Sequence, residues 1–278
     1  MSLRFYLHAD TTNSKAMNAV KFLADRYSKN IASIDEADVI ISLGGDGTTL
    51  DALRLGLKHG KKVYGMNLGH VGAYQNKYDV QNLLERIERA KELKLHPLTA
   101  QAIKLDDTRI QAEAWNEIYV RSGDNPQQAR LVGHVEGWSL PFCVCGDGYL
   151  LATPLGSHAY NLAAGGHKLH FREKLLASTA IAASRGVCDI LPDHSRIHLE
   201  VRDPIKRCVS LVADNQLMGK IKSCDIFQDF SRSVSLLWDP EKIRQFEVKG
   251  RQTIKDRSPV VLKSLKNTGY YHDQYLRA

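Results

Sequence analysis

A chain of 278 residues suffices for one large domain or two ordinary ones, and 43% hydrophobic with 25% charged residues describes a globular protein without an apolar run long enough to cross a membrane. The formal charge of +7 suits an anionic ligand, and with no Lys/Arg cluster interleaved with aromatics it fits a polyphosphate or dinucleotide better than nucleic acid. The five cysteines, Cys143, Cys145, Cys188, Cys208 and Cys224, are odd in number and lack CxxC spacing, which argues against a disulfide framework and a tetrahedral zinc site.

Leu3–His8 reads as a strand, and the N-terminus turns polar at His8-Ala9-Asp10, too soon for a signal-peptide core, so a cytoplasmic protein is expected. Ala16, Ala19, Val20, Leu23 and Tyr27 recur at helical spacing, which predicts a helix over 12–28 capped within Thr11–Asn13. Asp38–Leu43 is a β-branched run without polar alternation, the pattern of a strand buried on both faces. It runs into Gly44-Gly45-Asp46-Gly47-Thr48. Leu50, Leu53 and Leu57 then line a helix that Gly60 can end, Lys62–Met66 supplies a strand, and Val80–Leu93 reads as a further amphipathic helix. This order predicts an open, mostly parallel sheet whose ligands sit beyond the carboxyl ends of the strands, where both Gly44–Thr48 and Asn67–Gly72 fall.

From about Thr99 the runs Gln101–Leu105, Glu113–Arg121, Leu131–Val135 and Ser139–Cys145 are punctuated by turn residues, among them Gly123-Asp124-Asn125-Pro126, and read as hairpins. Arg196–Arg202, Cys208–Ala213, Lys220–Phe227 and Ser233–Leu237 continue the pattern around one helical segment at about 157–184. Two domains are therefore expected. An α/β domain over 1–98 carries the glycine loop; a mainly β, sandwich-like domain over 99–278 follows, with its C-terminal tail placed to pack back on the first.

The glycine loop presents backbone N–H groups to an anion, because glycines allow positive φ and close approach while a helix N-terminus adds unpaired donors. It lacks the lysine of a Walker A loop and carries Asp46 instead. A carboxylate repels a phosphate by about 4 kcal/mol per charge pair at close range, so Asp46 must either share a divalent cation with the phosphates or accept the proton of an attacking hydroxyl. A tight turn in which Asp46 merely caps the helix is the bland alternative. Gly44–Thr48 resembles the GGDGT signature of NAD kinases and of diacylglycerol- and sphingosine-type lipid kinases, with a similar element in phosphofructokinases. The loop thus implies a kinase acting on a hydroxyl and leaves the acceptor open.

Three further segments resemble the NAD kinase family. Asn67–Tyr74 is similar to its N-x-G-x-L-G-F element, and Asn116-Glu117 to its N-E dipeptide. Asp147–Gly166 resembles the block DG-x4-TP-x-GS-x-AY-x2-SAGG, which the lipid kinases lack. The resemblance implies that Asp46 takes the proton of the 2′-hydroxyl on the adenosine ribose of NAD, with ATP or polyphosphate as donor and Mg2+ as companion. It implies that Gly44, Gly45, Gly47 and Thr48 cradle phosphates with Asn67 nearby. Asn116 and Glu117 hold the adenosine, and Leu155, His158, Ala159, Tyr160, Asn161 and Ala163 line the nucleoside pocket. Asp147, Ala182 and Gln216 make later contacts, Asp147 across a subunit interface in a homodimer or homotetramer.

Leu155, His158, Cys145 and Ala163 depart from the family pattern, and His167–His170 replaces its G-G-P-I continuation. His158 reads as a space-filling or stacking substitution, or as a titratable partner for a phosphate. The departures keep two alternatives in view, a dinucleotide-binding regulator and a lipid or sugar kinase sharing the loop.

Overall fold

The computed structural model describes residues 3–70, 72–123 and 127–255, with side chains up to 247. The expected turn at 124–126, Val71 and the tail at 256–278 lie outside the described residues. The described chain divides into two compact units, one of residues 3–96 with 230–247 and one of 97–229 with 248–255.

The first unit runs β1 (Phe5–Ala9), α1 (Ser14–Arg26), β2 (Val39–Gly44), α2 (Asp46–His59), β3 (Lys62–Asn67), β4 (Asn76–Lys77), α3 (Leu83–Arg89) and β5 (Lys91–Leu95). Helix α1 starts where Asn13 accepts from the N–H groups of Lys15 (3.0 Å) and Ala16 (3.3 Å), and it buries Ala16, Ala19 and Leu23. All six positions of β2 are buried, as an apolar run without alternation demands of a strand covered on both faces. Gly60 ends α2 at φ +65°, the left-handed region that favours glycine. The helix expected over 80–93 stops at Arg89. Ala90 is extended, and Lys91–Leu95 forms an edge strand whose charged residues point outward.

The second unit comprises β6 (Leu98–Lys104), β7 (Arg109–Ala114), β8 (Glu117–Ser122), β9 (Ala129–Val135), β10 (Phe142–Gly146) and β11 (Gly148–Ala152). A 3-10 turn (Gly156–His158) and the short α4 (Tyr160–Ala163) interrupt the strands, which resume as β12 (Leu175–Ile181), β13 (Cys188–Pro192), β14 (Ile197–Val201), β15 (Val209–Ala213) and β16 (Gln216–Gln228). The chain then adds β17 (Val234–Trp238) and α5 (Pro240–Lys255).

The first sheet has the order β1-β2-β3-β17-β5 with β4 on β3, and every pairing is parallel except β17 with β5. Residues 233–237, which the sequence groups with the hairpins, therefore supply a strand of the α/β unit. Trp238, fully buried, stacks on Phe246 of α5 at 5.0 Å.

The second unit is mainly β, as expected, and its eleven strands join one hydrogen-bonded sheet. The cause is β16, whose first half pairs with β15 while residues 223–226 pair with β14 on one edge and β6 on the other. The helical segment expected to reach Ser184 is short. Leu175–Ile181 reads as helical because it lacks polar alternation, yet it is a strand with both faces covered. The same holds for β11, where Tyr149 and Leu151 enter the large core and Leu150 and Ala152 a smaller one shared with Leu169, Leu175 and Ala177. No described helix is long and apolar enough to cross a membrane.

Candidate active site

Strand β2 delivers Gly44 and α2 begins at Asp46, with Gly45 as its extended N-cap residue. None of Gly44, Gly45 and Gly47 has positive φ, so left-handed backbone does not explain these glycines. Space does. A Cβ on Gly44 would collide with the Thr48 side chain, whereas a Cβ on Gly45 or Gly47 would meet nothing within 4 Å. These two leave an open approach to the first turn of a helix whose early N–H groups lack intrahelical partners and carry partial positive charge.

Asp46 does not cap its helix. Its Oδ2 accepts from Ala73 N–H at 3.0 Å and its Oδ1 from Tyr74 N–H at 2.9 Å, so a neighbouring loop clamps both oxygens while each keeps another lone pair. That loop is itself held from behind. Trp238 donates its indole N–H to Tyr74 O (2.7 Å), and Lys242 Nζ donates to Gly72 O (2.7 Å). Gly72 sits at φ +68° against the Asn67 side chain, and Asn67 Oδ1 accepts from Gly69 N–H at 2.9 Å. A Cβ on Gly69 would stand 3.0 Å from the Gly45 Cα, so the two glycine segments pack backbone to backbone. The first unit thus gathers Gly44, Gly45, Asp46, Gly47, Thr48 and Asn67. Gln75, behind the loop, is an addition that no sequence motif marks.

In the second unit Asn116 precedes β8 and Glu117 opens it. Asp214, 2% exposed, accepts from the N–H groups of Trp115 and Asn116, the latter at 2.8 Å, and returns its own N–H to Glu117 O. Glu117 is 4% exposed, and its Oε2 is buried without a hydrogen-bond partner among the described residues. Burial, reinforced by the negative charge of Asp214, pushes its carboxyl up to about 8, so the side chain carries a proton at neutral pH. No sequence motif marks Asp214, whose role depends on a contact about a hundred residues away.

The block after β11 docks on this dipeptide. Thr153 donates its N–H to Asn116 O (2.9 Å) and its hydroxyl to Trp115 O (2.7 Å), and a Cβ on Gly156 would overlap the Asn116 carbonyl. Asn161 is fully buried and its amide is engaged, donating to Ser157 O and His167 O and accepting from Thr179 Oγ1 at 2.8 Å. Leu155 is buried as well. His158 donates Nε2–H to Leu169 O at 2.9 Å and thereby ties the 3-10 turn to the loop that departs from the family pattern. Ala159, Tyr160 and Ala163 are exposed, the Tyr160 ring meeting Tyr119 edge-on at 5.0 Å.

Asp147 is exposed at a bend between β10 and β11 and does not lie in a hairpin, since each of those strands pairs elsewhere. Its N–H donates to Ile181 O, which sets it beside Ala182, an exposed alanine at φ +42°. Gln216 starts β16 opposite Ala213, which itself pairs with Ile118 beside Glu117. The second unit therefore collects Asn116, Glu117, the 155–163 segment and Gln216 around β8, and Asp147 with Ala182 at the end of β12.

Residues 6–92 match the sequence profile of the ATP-NAD kinase N-terminal domain. Over 232 residues the chain is 41% identical to an NAD kinase of Hyphomonas neptunium, a match spanning 81% of this chain and 89% of the relative. It is 38% identical over 213 residues to an NAD kinase of Rhizobium meliloti, covering 74% and 81% of the two chains. Two solved structures share the fold at 20% identity. One is a yeast NADH kinase complexed with NADH (TM-score 0.74, covering 91% of this chain and 87% of that one). The other is an NAD kinase from Archaeoglobus fulgidus in complex with ATP (TM-score 0.69, covering 90% and 99%).

Proposed function

The chain belongs to the NAD kinase family, and from that premise we propose how its own residues carry phosphoryl transfer from ATP to NAD. The observation that carries the reading is the clamped carboxylate of Asp46, fixed by two N–H groups at the mouth of a helix whose Gly45 and Gly47 leave room for phosphates.

Asp46 accepts the proton of the 2′-hydroxyl on the adenosine ribose of NAD. The freed oxygen attacks the γ-phosphorus of ATP, and the bond from that phosphorus to the bridging oxygen breaks with its electron pair leaving on ADP. The first turn of α2 and the glycine N–H groups meet the charge that builds on the transferring phosphoryl oxygens. Mg2+ would enter this reaction as the companion of ATP and would offset the charge of its phosphates, with the Asp46 carboxylate, which keeps a lone pair on each oxygen, as the side chain that would meet it. Polyphosphate presents the same chain of anionic oxygens and is the alternative donor.

In the second unit, Asn116 and a protonated Glu117 offer donors and acceptors to the adenosine. Tyr160 supplies an exposed aromatic face, and Ala159 and Ala163 leave room beside it. Asn161, Leu155 and His158 act by holding this surface in shape. Asp147, Ala182 and Gln216 supply the outlying dinucleotide contacts. A cytoplasmic homodimer or homotetramer completes the proposal.

The test is a coupled assay of NADPH formation from NAD and Mg2+-ATP by the purified protein, with polyphosphate and NADH as parallel arms. NADPH formed with ATP supports the reading. Binding of NAD and ATP without any transfer would leave a dinucleotide-binding regulator.

A further inference from the structure

Behind the glycine loop, Gln75 is 2% exposed and directs its amide nitrogen at three acceptors: Gly44 O (3.0 Å), Gly45 O (2.8 Å) and Thr49 Oγ1 (2.9 Å). Two of these are carbonyls, which only accept, so the nitrogen rather than the oxygen must face them. The amide oxygen is left buried without a hydrogen-bond partner among the described residues.

Satisfaction of the loop carbonyls does not account for this arrangement. Gly44 O already accepts from Leu68 N–H at 2.8 Å, and Gly45 O from Thr49 N–H at 3.3 Å, so neither carbonyl depends on Gln75. An orphaned amide oxygen costs about 1–3 kcal/mol, which an apolar side chain of similar size would avoid. What Gln75 adds is orientation. In a trans peptide the C=O and the following N–H point in opposite directions, so drawing Gly44 O and Gly45 O inward aims the N–H groups of Gly45 and Asp46 outward. Gly45 and Gly47, on either side of Asp46, each leave open space where a Cβ would stand. The same short segment clamps the Asp46 carboxylate through Ala73 and Tyr74, so it aligns the base and the phosphate cradle together.

We propose that Gln75 is a positioning residue that presets the peptide planes of the Gly44–Asp46 loop for the phosphates of ATP. The proposal rests on the kinase reading above, in which this loop receives the phosphates. Losing the preset orientation weakens contacts to ATP and leaves recognition of NAD, carried by the second unit, unchanged.

The test compares Gln75→Met with the parent protein for KM toward ATP, KM toward NAD, kcat and thermal midpoint. Gln75→Met is expected to raise KM for ATP by roughly tenfold, the equivalent of about 1.4 kcal/mol, and to hold KM for NAD within twofold. A folded Gln75→Met with unchanged KM for ATP overturns the proposal, even if its thermal midpoint falls. Should Gln75→Met fail to fold, Gln75→Asn keeps the amide one methylene shorter. It is then expected to raise KM for ATP by a smaller factor, and an unchanged value overturns the proposal there. A parent protein that forms no NADPH breaks the kinase reading instead, so the two failures are distinguishable.

Discussion

Asp46 and Glu117 are carboxylates next to backbone turns, and their surroundings give them opposite chemistry. Asp46 faces two N–H groups of a loop that is itself pinned by Trp238 and Lys242, and it stands beside glycines that leave space. Glu117 is buried with an unmatched oxygen and the charge of Asp214 for a neighbour, and it retains its proton. The backbone supplies donors to Asp46 in the first unit, whereas in the second the N–H groups of Trp115 and Asn116 are taken by Asp214. One environment fixes a carboxylate beside open glycines, as the proposed reaction requires, and the other buries a carboxyl with its proton.

The largest test of that contrast is Asp46→Asn, which keeps the shape of the side chain and removes its capacity to take a proton. NADPH formation in the coupled assay is expected to fall about 10²–10⁴-fold. The variant should still bind NAD, which isothermal titration reads directly. A residual rate near that of the parent would move the base elsewhere.

The glycines divide next. Gly45→Ala adds a methyl to the open side and is expected to raise KM for ATP by roughly tenfold with little change in thermal midpoint. Gly44→Ala drives a methyl into Thr48 and should instead lower the thermal midpoint. Equal effects of the two substitutions on KM and melting would erase the distinction between an open and a packed glycine.

Glu117 gives a pH signature. Its carboxyl is ordinary at 4.5 in the unfolded chain and raised to about 8 in the fold. Within that window the folded state keeps a proton that the unfolded chain has released. The associated stability is therefore whole below the lower value, declines as pH rises, and levels off above the upper one. Glu117→Gln removes the titration, so the gap in thermal midpoint between variant and parent should widen in favour of the variant from pH 5 to pH 9. Each kcal/mol is worth about 2–4 °C in a chain of this size. A gap that is constant with pH would mean that Glu117 is ionised throughout.

The smallest effect concerns Ala182. A left-handed alanine costs about 1–2 kcal/mol, so Ala182→Gly should raise the thermal midpoint by a few degrees. Scanning calorimetry measures it, and a fall would show that the methyl packs productively.

The glycine loop was legible because its signals are local: an unbroken apolar strand, a glycine cluster and a periodic helix occupy adjacent residues. Asn116-Glu117 and the Asp147–Gly166 block could be found by their order, but order hid the division of labour within the block. Asn161 looks like a polar ligand contact and is spent inside the fold, tying Ser157, His167 and Thr179 together. Gln75 and Asp214 left no signal, because each acts on backbone groups that only the fold brings near. The misplaced elements have a related cause. Leu175–Ile181 and Val234–Trp238 are short apolar runs whose type and partner depend on which surface covers them. Nothing within 234–238 says that it will lie beside β3.

That last pairing bears on how the protein is made. Strand β17 and the start of α5 carry Trp238 and Lys242, and both are synthesised after residues 97–229 of the second unit. A growing chain that has emerged as far as Asp229 holds the glycine loop and Asp46 but neither the strand that flanks β3 nor the brace behind Tyr74 and Gly72. At a synthesis rate of about 5–20 residues per second, the α/β unit waits roughly 10–40 seconds between making its nucleotide loop and closing its sheet. Competence for catalysis is thus tied to the emergence of Trp238 and Lys242.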